Sequence, residues 1–349
     1  MTAATASDRG RETILIATYL EDEHVATIRE AWPGEVLAAP DLVPAPRYPA
    51  DHTGTRRSLD AAQLARWHDL LHRAEIAFDF DWSAPADLPR TAPKLRWVQA
   101  TSAGIGAFVQ RMGLTDRGIE FTTAAGVHAI PLAEFAVTGA LYFVKQLPLL
   151  LEMQGAHQWR RYSGSLLSGR HVVVVGLGAT GRHCAATFAA LGARVTGVGR
   201  PGQHYDVAPG VAPADTDSLD SILPSCDVLV LALPLTPTTE HLLDERRIGL
   251  LPERAVVVNI ARGAVLEQSA LLQALQSGRL AGAALDVTDP EPPPVDDPIW
   301  TTPNVLLSPH SASTVAAENG LLTELFCDNL ARWRSGQPLR NRYQSTKGY

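Results

Sequence analysis

The chain has 349 residues, 46% of them hydrophobic and 19% charged, with a formal net charge of −7. This is enough chain for about two domains and too apolar for disorder, and its acidic balance argues against a nucleic-acid partner, which would favour a basic face. Three scattered cysteines, Cys184, Cys226 and Cys327, form neither a disulfide framework nor a metal knuckle; they read as small buried hydrophobes in a reducing compartment, and no metal is expected.

The opening "MTAATASDRGRE" is polar and reads as frayed. The apolar "TILIATYL" is too short for a signal-peptide core and runs into Glu21-Asp22-Glu23, so a cytoplasmic protein is expected. The first strand is predicted at Thr13–Ala17 and a helix at His24–Trp32. The proline-rich "APDLVPAPRYPADHTGT" is a loop by composition. "AAQLARWHDLLHRAE" carries apolar residues at helical spacing and leads into a short strand, "IAFDFDW". "KLRWVQATSAGIG" follows as strand and glycine-bearing turn. Alternating strands and helices imply a parallel sheet.

One long apolar helix is predicted over Ala133–Met153. Its segment "LAEFAVTGALYFVKQLPLLL" is interrupted by Glu134, Lys145, Gln146 and Pro148, which favours a buried helix over a membrane span. A second alternation follows. "GRHVVVVGLGATGRHCAATFAALGARVTGVGR" reads as strand, glycine turn, helix, strand. "CDVLVLALP", "AVVVNIARG", "GAALDV" and "NVLLSPH" supply further strands. A last amphipathic helix, from about Val315 to a glycine stop, is expected to return to the first domain and make it discontinuous.

Val172–Val175 feeds Gly176-Leu177-Gly178-Ala179-Thr180-Gly181, a G-x-G-x-x-G loop between a strand and a helix. The first glycine allows the tight turn, the second lets backbone approach a pyrophosphate, and the third lets the helix pack close to the strand. The helix N-terminus then offers N–H groups to phosphates. The strand-to-helix context lifts the motif above a chance match. An acid that holds the adenosine ribose is expected about 18 residues further on. Gly199 and Arg200 stand there instead. A glycine leaves room and an arginine suits a 2′-phosphate, which favours NADP, with NAD possible.

Three segments each place one ionisable residue just beyond a predicted strand: Arg262, Glu291 and His310. Ligands of open α/β sheets bind at the carboxyl ends of the strands, the side that holds the glycine loop. Arginine suits bidentate capture of a carboxylate. Histidine suits proton transfer near neutral pH, and a neighbouring carboxylate would orient it.

The motifs "VVGLGATGRHCA", "LALPLTPTTEHLL", "NIARGAVLEQSALLQAL", "GAALDVTDPEPPP" and "NVLLSPHSAS" fall in that order. Together they resemble the D-isomer-specific 2-hydroxyacid dehydrogenases, from about Leu95 to about Leu330. The resemblance implies an α/β protein of two domains with a cleft between. A flavodoxin-like substrate domain would take residues 1–126 and 312–349, and a Rossmann-like cofactor domain residues 127–311. It implies NAD(P)-dependent hydride transfer between a 2-oxo acid and a D-2-hydroxy acid, with glyoxylate, hydroxypyruvate and bulkier acids all open. Arg262 would bind the substrate carboxylate and carbonyl, His310 would be the acid/base and Glu291 its partner. Asp286 would contact the nicotinamide carboxamide. Leu233, Pro234, Ile260 and Ala261, in the matched motifs, would line the cofactor. "WVQATSAGIG" looks like the substrate loop, with backbone amides near Ser102, Ala103 and Gly104. "TTAAGVHAIPLAEFA" looks like the hinge.

Departures from the family pattern are visible. Thr288 stands where an aromatic residue is usual, and the acidic pair usual before the prolines is here Pro290-Glu291, with Asp289 one residue earlier. Glu291 keeps the place directly before Pro292-Pro293 and is therefore preferred to Asp289 as the partner of His310. Residues 38–91 carry more sequence than a minimal member. Asp289, Asp296 and Asp297 read as solvated or turn residues. Glu134 reads as a helix-start acid, and His128 and His157 as structural. Rival readings on the same fold are a corepressor-type dinucleotide-binding regulator and a formate or phosphite dehydrogenase. The apolar helix and "HQWRRYSGSLLSG" look like a homodimer arm.

Overall fold

The computed structural model describes residues 10–115 and 117–345; residues 1–9 of the opening stretch lie outside them. The chain divides into two compact units, Ala129–Ser313 forming one and the flanking segments the other.

The flanking unit holds a five-stranded parallel sheet of β1 (Ile14–Ile16), β2 (Val36–Ala38), β3 (Ile76–Phe78), β4 (Trp97–Gln99) and β5 (Glu120–Thr122), in the order β2-β1-β3-β4-β5. This is the flavodoxin-like order. Successive side chains point to opposite faces of a strand. Ile14, Ile16, Phe78 and Trp97 therefore join one core with Leu322, Phe326 and Leu330 of the last helix. Leu15, Ala77 and Val98 join another with Trp67, Leu71 and Val109. Burial on both faces explains why the central strands read as unbroken apolar runs. The last helix starts at Glu318, three residues later than predicted, and ends at Arg334, before Gly336 at φ 68°. Helix Ala61–Arg73 opens with a capping box of Asp60 and Gln63.

The proline-rich stretch is an ordered loop built on Asp51. Its buried carboxylate accepts bonds from the Arg47 and Gly54 backbone N–H groups, from Arg47 Nε at 2.6 Å and from Thr53 Oγ1. Burial disfavours the charged carboxylate, but these donors outweigh it and hold Asp51 below the usual carboxylate range.

The central unit holds a seven-stranded parallel sheet: β6 (His171–Val175), β7 (Arg194–Gly199), β8 (Val211–Asp215), β9 (Val228–Leu231), β10 (Val256–Asn259), β11 (Gly282–Leu285) and β12 (Val305–Leu307). The order is β12-β11-β10-β9-β6-β7-β8. The order reverses between β6 and β9, which creates the switch point where doubly wound sheets bind ligands. The single helix predicted over Ala133–Met153 is two helices, Ala129–Val144 and Leu147–Gly155, bent by 62°. Pro148 lacks an N–H and its ring would clash with the carbonyl four residues back, and Gln146 turns left-handed at φ 55°. Among the described residues no single helix is long and apolar enough to cross a membrane.

Candidate active site

The glycine loop closes β6 and opens helix Ala179–Ala190, with Gly178 as its N-cap. Gly176 has φ 102°, and a Cβ at Gly181 would lie 1.7 Å from the Gly176 carbonyl oxygen, so neither position accepts a side chain. Apart from its own local backbone and chain neighbours, no described heavy atom lies within 4 Å of where a Gly178 Cβ would stand. Open space over bare backbone at a helix N-terminus fits a pyrophosphate. Leu177 is buried, and Ala179 and Thr180 are half-buried in the first helical turn. Leu233 and Pro234 follow β9, and Ile260 and Ala261 follow β10, so both pairs leave the sheet at the same carboxyl edge. Leu233, Ile260 and Ala261 are buried and Pro234 is exposed.

Gly199 ends β7, next to β6. The room attributed to this glycine is not empty. A Cβ there would lie 2.2 Å from Tyr205 Cε2, so the tyrosine ring fills the space. The Arg200 backbone N–H donates to Tyr205 Oη at 3.1 Å.

Arg262 follows β10 in extended conformation and is half-buried. Buried Asn259 fastens its loop: Oδ1 accepts from Ala261 N at 3.0 Å and Nδ2 donates to Arg262 O at 3.1 Å. The guanidinium donates to Ala261 O at 2.7 Å rather than to Glu291 or His310. Gly263 packs against the other acidic loop: a Cβ there would lie 1.9 Å from Thr288 O.

Glu291 and His310 meet. Nδ1 of His310 lies 2.6 Å from Glu291 Oε1, each side chain being 41% exposed. Among the described residues His310 pairs with Glu291 and not with Asp289, whose backbone N–H donates to Gln268 Oε1 at 3.2 Å and which is exposed. Asp296 is exposed, and Asp297 accepts from Ile299 N at 2.8 Å as a turn residue. Thr288, in place of the usual aromatic, donates its hydroxyl to Pro290 O at 2.9 Å and stiffens the loop.

Asp286, 2% exposed, ties His310 into place. Its carbonyl accepts from His310 N at 2.9 Å. Its Oδ1 accepts from Ser308 Oγ at 2.7 Å and Ala312 N at 2.9 Å. Ser308 and this fastening role were not read from the sequence. The contact spans 22 residues, which no local spacing reports.

Ser102, Ala103 and Gly104 belong to the flanking unit, as an exposed loop three residues beyond β4. In that unit His128 Nε2 lies 3.1 Å from Glu318 Oε1, with His52 Nε2 3.8 Å from the same oxygen. Asp79 is buried beside them, and burial raises its pKa above the usual carboxylate value. None of Glu318, His52 and Asp79 was singled out by the sequence motifs. His157 is exposed, and Glu134 is exposed in the second turn of its helix, not at its start.

Residues 137–312 match the family described as D-isomer specific 2-hydroxyacid dehydrogenase, NAD binding domain. The chain is 31% identical to a glyoxylate reductase of Thermococcus kodakarensis over 255 residues, which is 70% of this chain and 75% of the relative. A D-isomer specific 2-hydroxyacid dehydrogenase from Xanthobacter autotrophicus Py2, solved with NADPH and MES, superposes with a TM-score of 0.77 at 26% identity, covering 97% of this chain and 100% of that one. An NADPH-dependent glyoxylate/hydroxypyruvate reductase from Sinorhizobium meliloti, solved with NADP and sulfate, gives 0.76 at 26% identity, with the same coverage. With the motif order, the two parallel sheets and these matches, the chain belongs to the D-isomer specific 2-hydroxyacid dehydrogenase family.

Proposed function

We propose that this chain reduces a 2-oxo acid to the D-2-hydroxy acid, with NADPH as the favoured reductant and NADH as a possible one. The observation that carries this reading is the Glu291–His310 pair, held at the carboxyl edge of the sheet whose β6 turn bears the glycine loop. The NADPH and NADP bound to the Xanthobacter and Sinorhizobium structures, respectively, support the cofactor assignment.

The bare backbone of Gly176–Gly181 would hold the pyrophosphate, and Leu233, Pro234, Ile260 and Ala261 would line the dinucleotide. The nicotinamide, when bound, supplies the hydride. Arg262 binds the substrate carboxylate and polarises the ketone oxygen through its forked donors. Glu291 accepts a hydrogen bond from the Nδ1–H of His310, which orients the ring and favours its protonated form, with the second proton on Nε2. Nε2 of His310 then delivers a proton to the substrate oxygen as negative charge develops there. Backbone amides of Ser102, Ala103 and Gly104 are proposed to assist with the carboxylate. Asp286 is proposed to meet the carboxamide through what its Ser308 and Ala312 bonds leave free.

We also assign the chain to the cytoplasm, in keeping with three free cysteines. A homodimer is supported by exposed apolar side chains along one arm, Leu147, Leu150, Leu151, Trp159 and Leu166. The test of function is a panel of 2-oxo acids (glyoxylate, hydroxypyruvate, larger homologues) with NADPH and NADH, followed by loss of reduced-cofactor absorbance. Turnover of at least one acid is expected. No turnover of any, with cofactor bound, would favour a non-catalytic regulator.

A further inference from the structure

We propose that Tyr205 is a cofactor-selecting residue, forming with Gly199 and Arg200 the subsite for the adenosine 2′-phosphate; this rests on the NADPH reading above. In a Rossmann-like sheet the strand after the glycine-loop helix ends where the adenosine ribose binds, and an acid there holds its hydroxyls. That strand is β7, and its last residue is Gly199. A Cβ at 199 would stand 2.2, 2.8 and 2.9 Å from three ring carbons of Tyr205. A ring carbon cannot yield as the tip of a flexible chain can. A carboxylate-bearing residue at 199 and a tyrosine ring in this position therefore exclude one another.

The ring is held where it is. The turn after β7 brings Gln203 N back to Arg200 O at 3.3 Å, and Tyr205 Oη accepts the Arg200 backbone N–H at 3.1 Å. Accepting that bond leaves the phenol its own proton to donate. A phosphate dianion gains from both a phenol donor and a guanidinium, because hydrogen bonds to charged groups are about twice as strong as neutral ones. A neutral ribose hydroxyl, as in NADH, gains little from either. Gly199 is thus the partner of Tyr205, and selection is shared across a six-residue turn.

The test measures dissociation constants for NADPH and NADH by nicotinamide fluorescence, on wild type, Tyr205→Phe and the double variant Gly199→Asp/Tyr205→Ala. Tyr205→Phe keeps the ring and removes the donor. It is expected to weaken NADPH about 10- to 150-fold, the range for a bond to a charged group, and to leave NADH within about twofold. The double variant is expected to bind NADH more tightly than NADPH. Tyr205→Phe weakening both cofactors alike, or neither, would overturn the role of Tyr205 while a wild-type preference for NADPH keeps the cofactor reading. A wild-type preference for NADH would remove both.

Discussion

Glu291 Oε1 lies 2.6 Å from His310 Nδ1, although 19 positions separate the two in the chain. Both side chains are 41% exposed, so the pair adds little to stability. What it supplies is orientation. With a carboxylate on Nδ1, the ring's other nitrogen, Nε2, is the one that the proposed mechanism turns to the substrate oxygen.

The first prediction separates Glu291 from its acidic neighbour. Glu291→Gln should lower kcat by about ten- to a thousandfold, since the ring loses its fixed orientation. Asp289→Asn should leave kcat within about twofold, because His310 pairs with Glu291 and not with Asp289. Steady-state rates with a saturating 2-oxo acid decide, and the reverse pattern would transfer the role to Asp289.

Asp286 tests how the histidine loop is built. Asp286→Ala removes the acceptor of Ser308 Oγ and Ala312 N in a site 2% exposed. It should destabilise the protein by roughly 1–3 kcal/mol. Urea unfolding measures this, and an unchanged midpoint would show that the loop holds itself without the carboxylate.

Much of this arrangement is legible in the sequence, and the gaps have a common physical cause. β6, β9 and β10 sit inside their sheet, covered on both faces, and read as unbroken runs of valine and leucine. The three unpredicted strands, Val36–Ala38, Glu120–Thr122 and Val211–Asp215, all lie at sheet edges. β2 and β8 are only partly covered and lack that signature, and β8 even carries Pro213, which edges tolerate; β5 is mostly buried but reads Glu-Phe-Thr, whereas the fourth edge strand, β12, keeps the apolar run Val-Leu-Leu and is legible. At the site, the family pattern brings out Arg262, Glu291 and His310. It does not bring out Tyr205 on Gly199 or Ser308 on Asp286, because those contacts depend on how a turn folds back. The helix break at Gln146 was signalled by Pro148, whose effect on the preceding turn is local.

Asp79 gives a pH prediction. Burial is the largest influence and raises its pKa, while His52 and hydrogen bonds from Trp82 and the backbone of Phe80 and Thr101 pull the other way. The folded state therefore binds this proton more tightly than the unfolded state. Stability from it is present below the unfolded value, near 3.9, and is lost as pH rises above it. Asp79→Asn keeps an oxygen for Trp82 Nε1, which donates at 2.7 Å, and has no proton to lose. Its Tm should exceed that of wild type at pH 8, with the advantage shrinking towards pH 4. A Tm deficit that grows with pH would contradict this sign.

The cysteines should be chemically silent. Burial pushes Cys184 up to about 12 and Cys327 up to about 11, and raises Cys226 as well. The thiolate is the reactive form. A disulfide reagent at pH 8 should label the native protein slowly and label all three thiols at once after unfolding. Cys184 and Cys226 are buried and Cys327 is half-buried, not fully buried as expected from the sequence; prompt labelling of native Cys184 or Cys226 would contradict their buried, protonated state.

The most direct test of the account is His310→Ala, assayed for 2-oxo acid reduction and for NADPH binding in the same samples. The expected kcat is lower by about two to four orders of magnitude, the span of acid–base catalysis, with the NADPH dissociation constant within about twofold of wild type. Near-wild-type turnover in protein that binds NADPH normally would contradict it.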